Sequence, residues 1–377
     1  MEHILSLASE YGYGLPFILV ISVVVFVHEY GHYWVARRCG IRVMSFSIGF
    51  GRPLFGWTDS HGTRWQVAWL PFGGYVKMFG DADPASSPDA TVKTMSEEEK
   101  KVAFFHQSVN KRMAVVVAGP ATNYIFAIIV LAILFMFQGQ PFSPPMIGSV
   151  AENGVAARAG LLGGDKVISI DGESVSRFED IKRIVSMSTG SPLPFIIERN
   201  GVTQTFTVTP EMTNQTDHFG GMHRMGRIGI VSDDLDYKKW PPLKAVKQAT
   251  IETWTLSVDT IKAIGQMIIG TRGSEDIGGP IRSAKMAGHI AKEGAWPLLW
   301  FTAIISVNLG LINLFPVPLL DGGHLLYYTF EKLLGRPLNE KAQEIGMRIG
   351  LALIVSLMVF ATSNDLHLMD RIRSWLS

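Results

Sequence analysis

One cysteine, Cys39, stands in 377 residues. A lone thiol closes no internal disulfide, so it leaves the redox compartment open. Its plain reading is a small buried filler, ahead of a metal ligand. Charge is scarce too. Asp, Glu, Lys and Arg make up 18% of the chain, below the usual quarter, and 34 basic against 33 acidic residues leave a net charge of +1. Proteins that hold nucleic acid through bulk positive charge need more than that, so no nucleic-acid partner is expected. Internal repeats and low-complexity tracts are absent, which sets repeat architectures aside.

Hydrophobic residues, at 47%, are ordinary in amount but not in arrangement. They gather in four segments: Leu15–Ala36, Met113–Phe137, Trp296–Phe315 and Ile345–Phe360. As helices these suit a hydrocarbon core of ~30 Å, whereas buried helices of soluble proteins show shorter apolar runs. The first lacks the small-residue cleavage site of a signal peptide, and Arg37-Arg38 follow it rather than precede it. Pro316 and Pro318 stop the third, and the fourth carries Arg348. Arg37, Arg38, Arg42, Lys77, Lys111 and Arg112 lie between the first two segments, and Lys332, Arg336 and Lys341 between the last two. Such residues near span ends favour the cytoplasmic side, which puts both termini and the long stretch Gln138–Ala295 on the other side.

The intervening segments differ in character. Val43–Phe50 and Arg64–Met78 are rich in β-branched and aromatic residues punctuated by glycine, which reads as strands and turns. Asp81–Lys100 is polar, with Pro84, Pro88 and several serines, and reads as a mobile linker. Beyond the second apolar segment come a strand at Ile147–Val150, a strand at Lys166–Ile170 and helical spacing over Arg177–Met187. Asn200-Gly201 between two strand-like runs is the strongest hairpin signal in the chain. Together these make a small α+β domain, followed by an amphipathic helical stretch at Pro242–Ile269.

The first apolar segment ends in His28-Glu29-Tyr30-Gly31-His32. On a helix, positions i and i+4 share a face, so the two imidazoles can meet one metal ion. Glu29 is placed to take a proton from water, whose pKa a zinc ion brings to roughly 7. Ionisable groups inside a membrane segment cost several kcal/mol unless paired or coordinated, so they need a reason; an interface-facing polar cluster is the bland alternative. A catalytic zinc takes a third protein ligand. Asn313-Leu-Phe-Pro316-Val-Pro318-Leu-Leu-Asp321-Gly-Gly-His324 offers two, Asp321 and His324. The prolines break the helix, and Gly322-Gly323 would let the backbone turn sharply and aim Asp321 at the first helix. Asn123, Asn308 and Asn313 are polar groups within apolar segments. An interhelical hydrogen bond is the simpler reading for the first two, and a substrate or water contact for Asn313.

His28-Glu29-Tyr30-Gly31-His32, Gly119-Pro120-Ala121-Thr122-Asn123 and Asn313 through His324, in that order, resemble the site-2 protease family, and most closely its regulator of sigma-E protease branch. The resemblance covers nearly the whole chain. It implies His28, His32 and Asp321 as Zn2+ ligands, Glu29 as catalytic base, and Asn313 and Pro316 as substrate-binding. It also implies that the strand segments are membrane-associated β-hairpin elements, along whose edge an extended substrate could lie. Ala159-Gly160-Leu161, Gly164-Asp165, Val167-Ile168, Ile170 and Gly172 resemble a PDZ domain. Only one is visible, where well-known members of the branch carry two.

The expected fold class is a polytopic α-helical membrane protein of four spans with a small α+β PDZ domain. Its parts are a first span at 1–36, a cytoplasmic and re-entrant β loop with linker at 37–112, and a second span at 113–137. A PDZ domain at 146–212 and a post-PDZ amphipathic region at 213–294 follow, then a third span at 295–324 and a fourth at 345–362. The expected activity is zinc-dependent cleavage of single-pass membrane proteins, in the family often of anti-sigma factor type, with signal-peptide remnants as a second class. The expected location is the bacterial inner membrane, in contact with lipid. The PDZ domain faces the periplasm, where it could gate access, bind peptide or simply pack. Two rival functions weigh less. A PDZ-bearing scaffold has no need to bury the His-Glu-His group, and an ion transporter wants polar residues along the spans.

Overall fold

In the computed structural model, residues 14–81, 94–188, 190–216, 222–232, 237–271 and 278–366 are described. Helix α1 (Gly14–Arg38) leads into two long strands, β1 (Val43–Thr58) and β2 (Arg64–Met78), then helices α2 (Glu97–Val102) and α3 (Val109–Phe137). Next come β3 (Gln140–Pro141), β4 (Ser149–Val150), α4 (Val155–Arg158), β5 (Lys166–Ile170), β6 (Glu173–Ser174), α5 (Phe178–Ser186), β7 (Leu193–Arg199) and β8 (Val202–Val208). After β9 (Glu211–Thr216), β10 (Met222–Arg227), β11 (Ile230–Val231) and β12 (Tyr237–Lys238), the chain is helical: α6 (Pro242–Ile268), α7 (Pro280–Glu293), α8 (Ala295–Asn313), α9 (Asp321–Leu334) and α10 (Glu340–Asp365). Two compact units result, one of Met1–Leu131, Ala249–Ser257 and Gly279–Ser377, the other of Ala132–Gln248 and Val258–Gly278.

In the first unit, α1, α3, α8 and most of α10 are long and apolar enough to cross a membrane. Leu19, Ile125, Leu351 and Leu357 stay exposed on them, the pattern of helices that are apolar all round. Helix α3 starts earlier than its apolar run, because a helix continues through polar turns that hydropathy ignores. Helix α8 stops at Asn313, short of Phe315, since Pro316 disfavours helical geometry in the residue before it. Glycines set how closely these helices approach. A Cβ at Gly31 would collide with Oγ1 of Thr122 and the carbonyl of Ala118. With hydrogen there instead, Thr122 Oγ1 donates to the Val27 carbonyl at 3.0 Å. Gly310 lets α8 approach α3 in the same manner, where a Cβ would lie 3.2 Å from the Pro120 carbonyl.

Strands β1 and β2 form more than a hairpin. Phe46 pairs with both Val76 and Trp65, Ser47 with both Tyr75 and Gln66, and Trp65 and Gln66 pair in turn with Trp57 and Gly56. Four rungs therefore lie side by side, in the order 74–78, 43–48, 64–68 and 53–58. Residues 97–100, read from sequence as part of a linker, open α2 instead. Ser96 and Glu99 close a reciprocal capping box there, which satisfies the first orphan amides. Of the expected linker Asp81–Lys100, residues 82–93 lie outside the described residues.

The second unit carries a four-stranded sheet, β6-β5-β7-β8. Asp171-Gly172 and Asn200-Gly201 turn its hairpins with positive φ at both residues, as tight two-residue turns require. Its core joins Ile147, Leu161, Val167, Ile170, Phe178 and Phe195 among others. Asp165, 1% exposed, receives both Nε and an Nη of Arg199, at 2.7 and 2.8 Å, and the Leu162 amide at 2.8 Å. Burial pushes the Asp165 carboxyl up, but these donors outweigh it and hold it below the ordinary range. Strands β9 and β10 pair as a separate hairpin.

Removing the guanidinium strands a buried carboxylate. Arg199→Ala is expected to destabilise the second unit, seen as faster amide exchange in β5 and β7 with α1 and α3 unchanged. A carboxyl lowered on folding stabilises above its unfolded pKa and loses that contribution as pH falls through the folded one. Exchange protection should therefore hold from pH 7 to 5 and fail only below about pH 4.

Candidate metal centre

Helix α1 sets His28 and His32 one turn apart on one face, both buried. Asp321 is the first residue of α9. Its Oδ2 lies 3.2 Å from Nε2 of His28 and 3.5 Å from Nε2 of His32, and the two Nε2 atoms are 3.2 Å apart. Ligand atoms of all three lie within 4.8 Å of one another. The loop before α9 is strained where it delivers the aspartate, with Leu319 at φ 80°. Gly322 and Gly323 do not make the turn, contrary to the expectation from sequence. They sit inside α9, and a Cβ on either would strike the backbone of Leu314–Pro318. Their task is to let the preceding loop fold back onto the helix.

The far nitrogens of the imidazoles are also held. His32 Nδ1 donates to the Val115 carbonyl at 2.8 Å, which leaves the Nε2 lone pair facing the cluster. His28 Nδ1 meets the Asn123 amide at 3.2 Å. The Asn123 Oδ1 is buried without a hydrogen-bond partner, and turning the amide over would let it accept from His28 Nδ1–H. Among the described residues Asp321 Oδ2 likewise has no hydrogen-bond partner despite its burial. Two imidazole nitrogens and a carboxylate oxygen pointing at one spot could hold a metal ion, and their chemistry fits zinc. Gly119 keeps that spot clear, since a Cβ there would collide with the His32 ring and lie 2.9 Å from Cε1 of His28.

Sequence reasoning passed over part of this support. Asn123 does make an interhelical hydrogen bond, as the simpler reading had it, but to a would-be ligand. Val115, Gly119 and Asn123 recur every four residues along one stripe of α3. A glycine and an amide at that spacing within an apolar helix was the available signal.

The cluster opens on a cavity of about 630 Å³ that also meets Glu29, Gly74, Tyr75, Asn313, His324 and Ile354. Glu29 is half-buried. The strand carrying Gly74 runs close beside it, and a Cβ there would lie 3.1 Å from Glu29 Cγ. His324, the rival ligand, lines the cavity, with its ring 6.4 Å from that of Tyr328. Pro316 is exposed and does not line it.

A family model described as peptidase family M50 matches residues 16–357. A provisionally named zinc metalloprotease of Agrobacterium fabrum is 44% identical, over 94% of this chain and 96% of its own. Another from Rhizobium meliloti is 42% identical over the same shares. The metalloprotease MmpA of Caulobacter vibrioides is 35% identical, over 94% of this chain and 95% of its own. Among solved structures, a PDZ domain from Listeria monocytogenes is 19% identical over 24% of this chain and 86% of its own, with a TM-score of 0.19. That likeness is too small to decide a fold.

Gly119→Ala is expected to abolish stoichiometric zinc in the purified protein, because the methyl takes the space of the His32 ring and pushes both imidazoles out of place. Asn123→Ala, which leaves the ligands themselves intact, should weaken zinc about 10- to 100-fold in competition with a chelator.

Proposed function

The chain belongs to peptidase family M50, the site-2 proteases, and from that premise we propose that this zinc metalloprotease cuts single-pass membrane proteins within or beside their membrane spans. One observation carries the reading: His28, Glu29 and His32 lie on a helix otherwise apolar enough to cross a bilayer, where such groups are kept only for a purpose. On this reading α1, α3, α8 and α10 are the spans, the site lies toward the cytoplasmic side of a bacterial inner membrane, and the sheet of β1 and β2 is a membrane-associated element.

His28, His32 and Asp321 would hold the zinc, which when bound supplies Lewis acidity and acidifies water to a pKa of roughly 7. Glu29 takes the proton of the attacking water and returns it to the leaving nitrogen, a role worth ~10²–10⁴-fold. A helical substrate hides its peptide bonds, so it must unwind locally before it is cut. The extended peptide then adds to the edge of the sheet at Gly73–Val76, which lines the cavity and whose neighbour on the other side is the strand of Phe46 and Ser47. Asn313, from the cavity wall, and Pro316 beyond it contact the peptide backbone.

Residues 146–212, with the sheet β6-β5-β7-β8, form a single PDZ domain that screens substrates by size or captures their trimmed ends. Anti-sigma factors already shortened by another protease, and signal-peptide remnants, are the substrate classes that fit. The protein meets lipid throughout and no nucleic acid.

Purified wild-type protein and Glu29→Gln, reconstituted with a model single-span substrate, test the reading. The variant should retain stoichiometric zinc and lose at least about 100-fold in rate. Equal cleavage by the two would remove Glu29 from the chemistry, and no cleavage by zinc-loaded wild type would remove the protease reading. Asp321→Ala should lose zinc where His324→Ala keeps it.

A further inference from the structure

The turn between β1 and β2 holds a carboxylate with more partners than a turn needs. Asp59 Oδ1 accepts from the amides of His61 and Thr63 at 2.8 and 2.9 Å, which closes the turn locally. Its Oδ2 does something else. It accepts from the Trp65 indole at 2.9 Å and from the Tyr33 hydroxyl at 3.3 Å. Tyr33 belongs to α1 and directly follows His32. One oxygen therefore serves the turn, and the other ties the sheet to the helix of the metal centre.

The tie reaches the far edge of the sheet through side chains in register. Trp65 pairs with Phe46, and Phe46 with Val76. The Trp65 and Phe46 rings stack at 4.3 Å, and Tyr33 meets both, at 5.0 and 6.0 Å. Phe46, fully buried, also meets Phe26 of α1 at 5.7 Å. In the next row Gln66 donates to the hydroxyls of Tyr75 and Ser47, at 3.0 and 3.3 Å. Tyr75 and Val76 line the cavity beside Glu29. The spacing between that edge and Glu29 is thus set by the seat of the sheet on α1, where Asp59 is the polar anchor in an aromatic contact.

We propose that Asp59 is a positioning residue: by tying the sheet to Tyr33 it fixes which peptide bond of a bound substrate strand faces Glu29. The inference rests on the reading that substrate adds to the Gly73–Val76 edge. A strand displaced by one residue turns every side chain to the opposite face, so a loosened seat changes which bonds are offered as well as how tightly they are held.

Asp59→Asn separates the tie from the turn. Its amide oxygen can still accept the His61 and Thr63 amides, but an NH2 group then faces the indole donor that the carboxylate oxygen received. Tyr33→Phe removes only the hydroxyl. With the full-length protein, zinc-loaded, and a single-span substrate, both variants should raise KM about tenfold with kcat within about twofold. Mass spectrometry should find products cut at neighbouring bonds where the wild type gives one. A role confined to the turn predicts wild-type behaviour for Asp59→Asn. Wild-type KM and a wild-type cut site in both variants would overturn the proposal while leaving the protease reading intact, because the wild type still cleaves in the same assay. If Asp59→Asn does not hold zinc, Tyr33→Phe decides alone.

Discussion

Two imidazole nitrogens and a carboxylate oxygen converge within 4.8 Å at the edge of segments that are otherwise apolar. Such a set is stable only when a cation or a network of donors satisfies it, and among the described residues Asp321 Oδ2 has no hydrogen-bond donor. The packing of the first unit brings these three side chains together and keeps the space between them open. Gly31 and Gly310 bring α1 and α8 against α3, Gly119 leaves the ligand faces clear, and Gly322 with Gly323 lets the loop of Pro316 and Pro318 fold back so that α9 begins at the aspartate. Small residues are the currency of close helix approach where surrounding solvent gives little hydrophobic drive. Here they also bring His28, His32 and Asp321 within reach of one another.

The sheet of β1 and β2 answers to the same centre from the other side. Its outer strand exposes Leu54, Phe55 and Trp57, while its inner edge brings Gly74 against Glu29. Gly74 is the point where the strand and the helix of Glu29 come too close for a side chain, as Gly119 is for the histidine rings. The edge that could receive a peptide is therefore tied in distance to the group that would act on it, by aromatic packing and by one carboxylate in a turn.

Much of this was legible in the chain. Apolar runs marked the four long helices, because helix hydropathy is a local property of consecutive residues. The His-Glu-His spacing placed two ligands on one face for the same reason, and Asn200-Gly201 announced its hairpin through the backbone freedom those residues have. Less was legible where a residue's meaning lies in its neighbour. Asn123 and Gly119 stood out in the sequence through the family resemblance, Asn123 also as a polar group in an apolar segment, and what they do shows only where the histidine rings lie beside them. Gly322 and Gly323 looked like a turn, yet they are helical and serve a close approach. Residues 97–100 looked like linker because their short helix rests on a cap rather than on an apolar face.

By itself, then, the sequence determined the helices, the short-range turns and the pairing of His28 with His32, all set by interactions within a few residues. Only the tertiary structure decided that Asp321 meets them while His324 stands apart, that Ser45, Phe46, Ser47 and Ile48 of β1 each pair on both sides, and that Asp59 reaches Tyr33. Those outcomes depend on distances between segments far apart in the chain. Packing fixes such distances, because Gly31 must admit α3, and Gly119 the histidine rings, before the site exists.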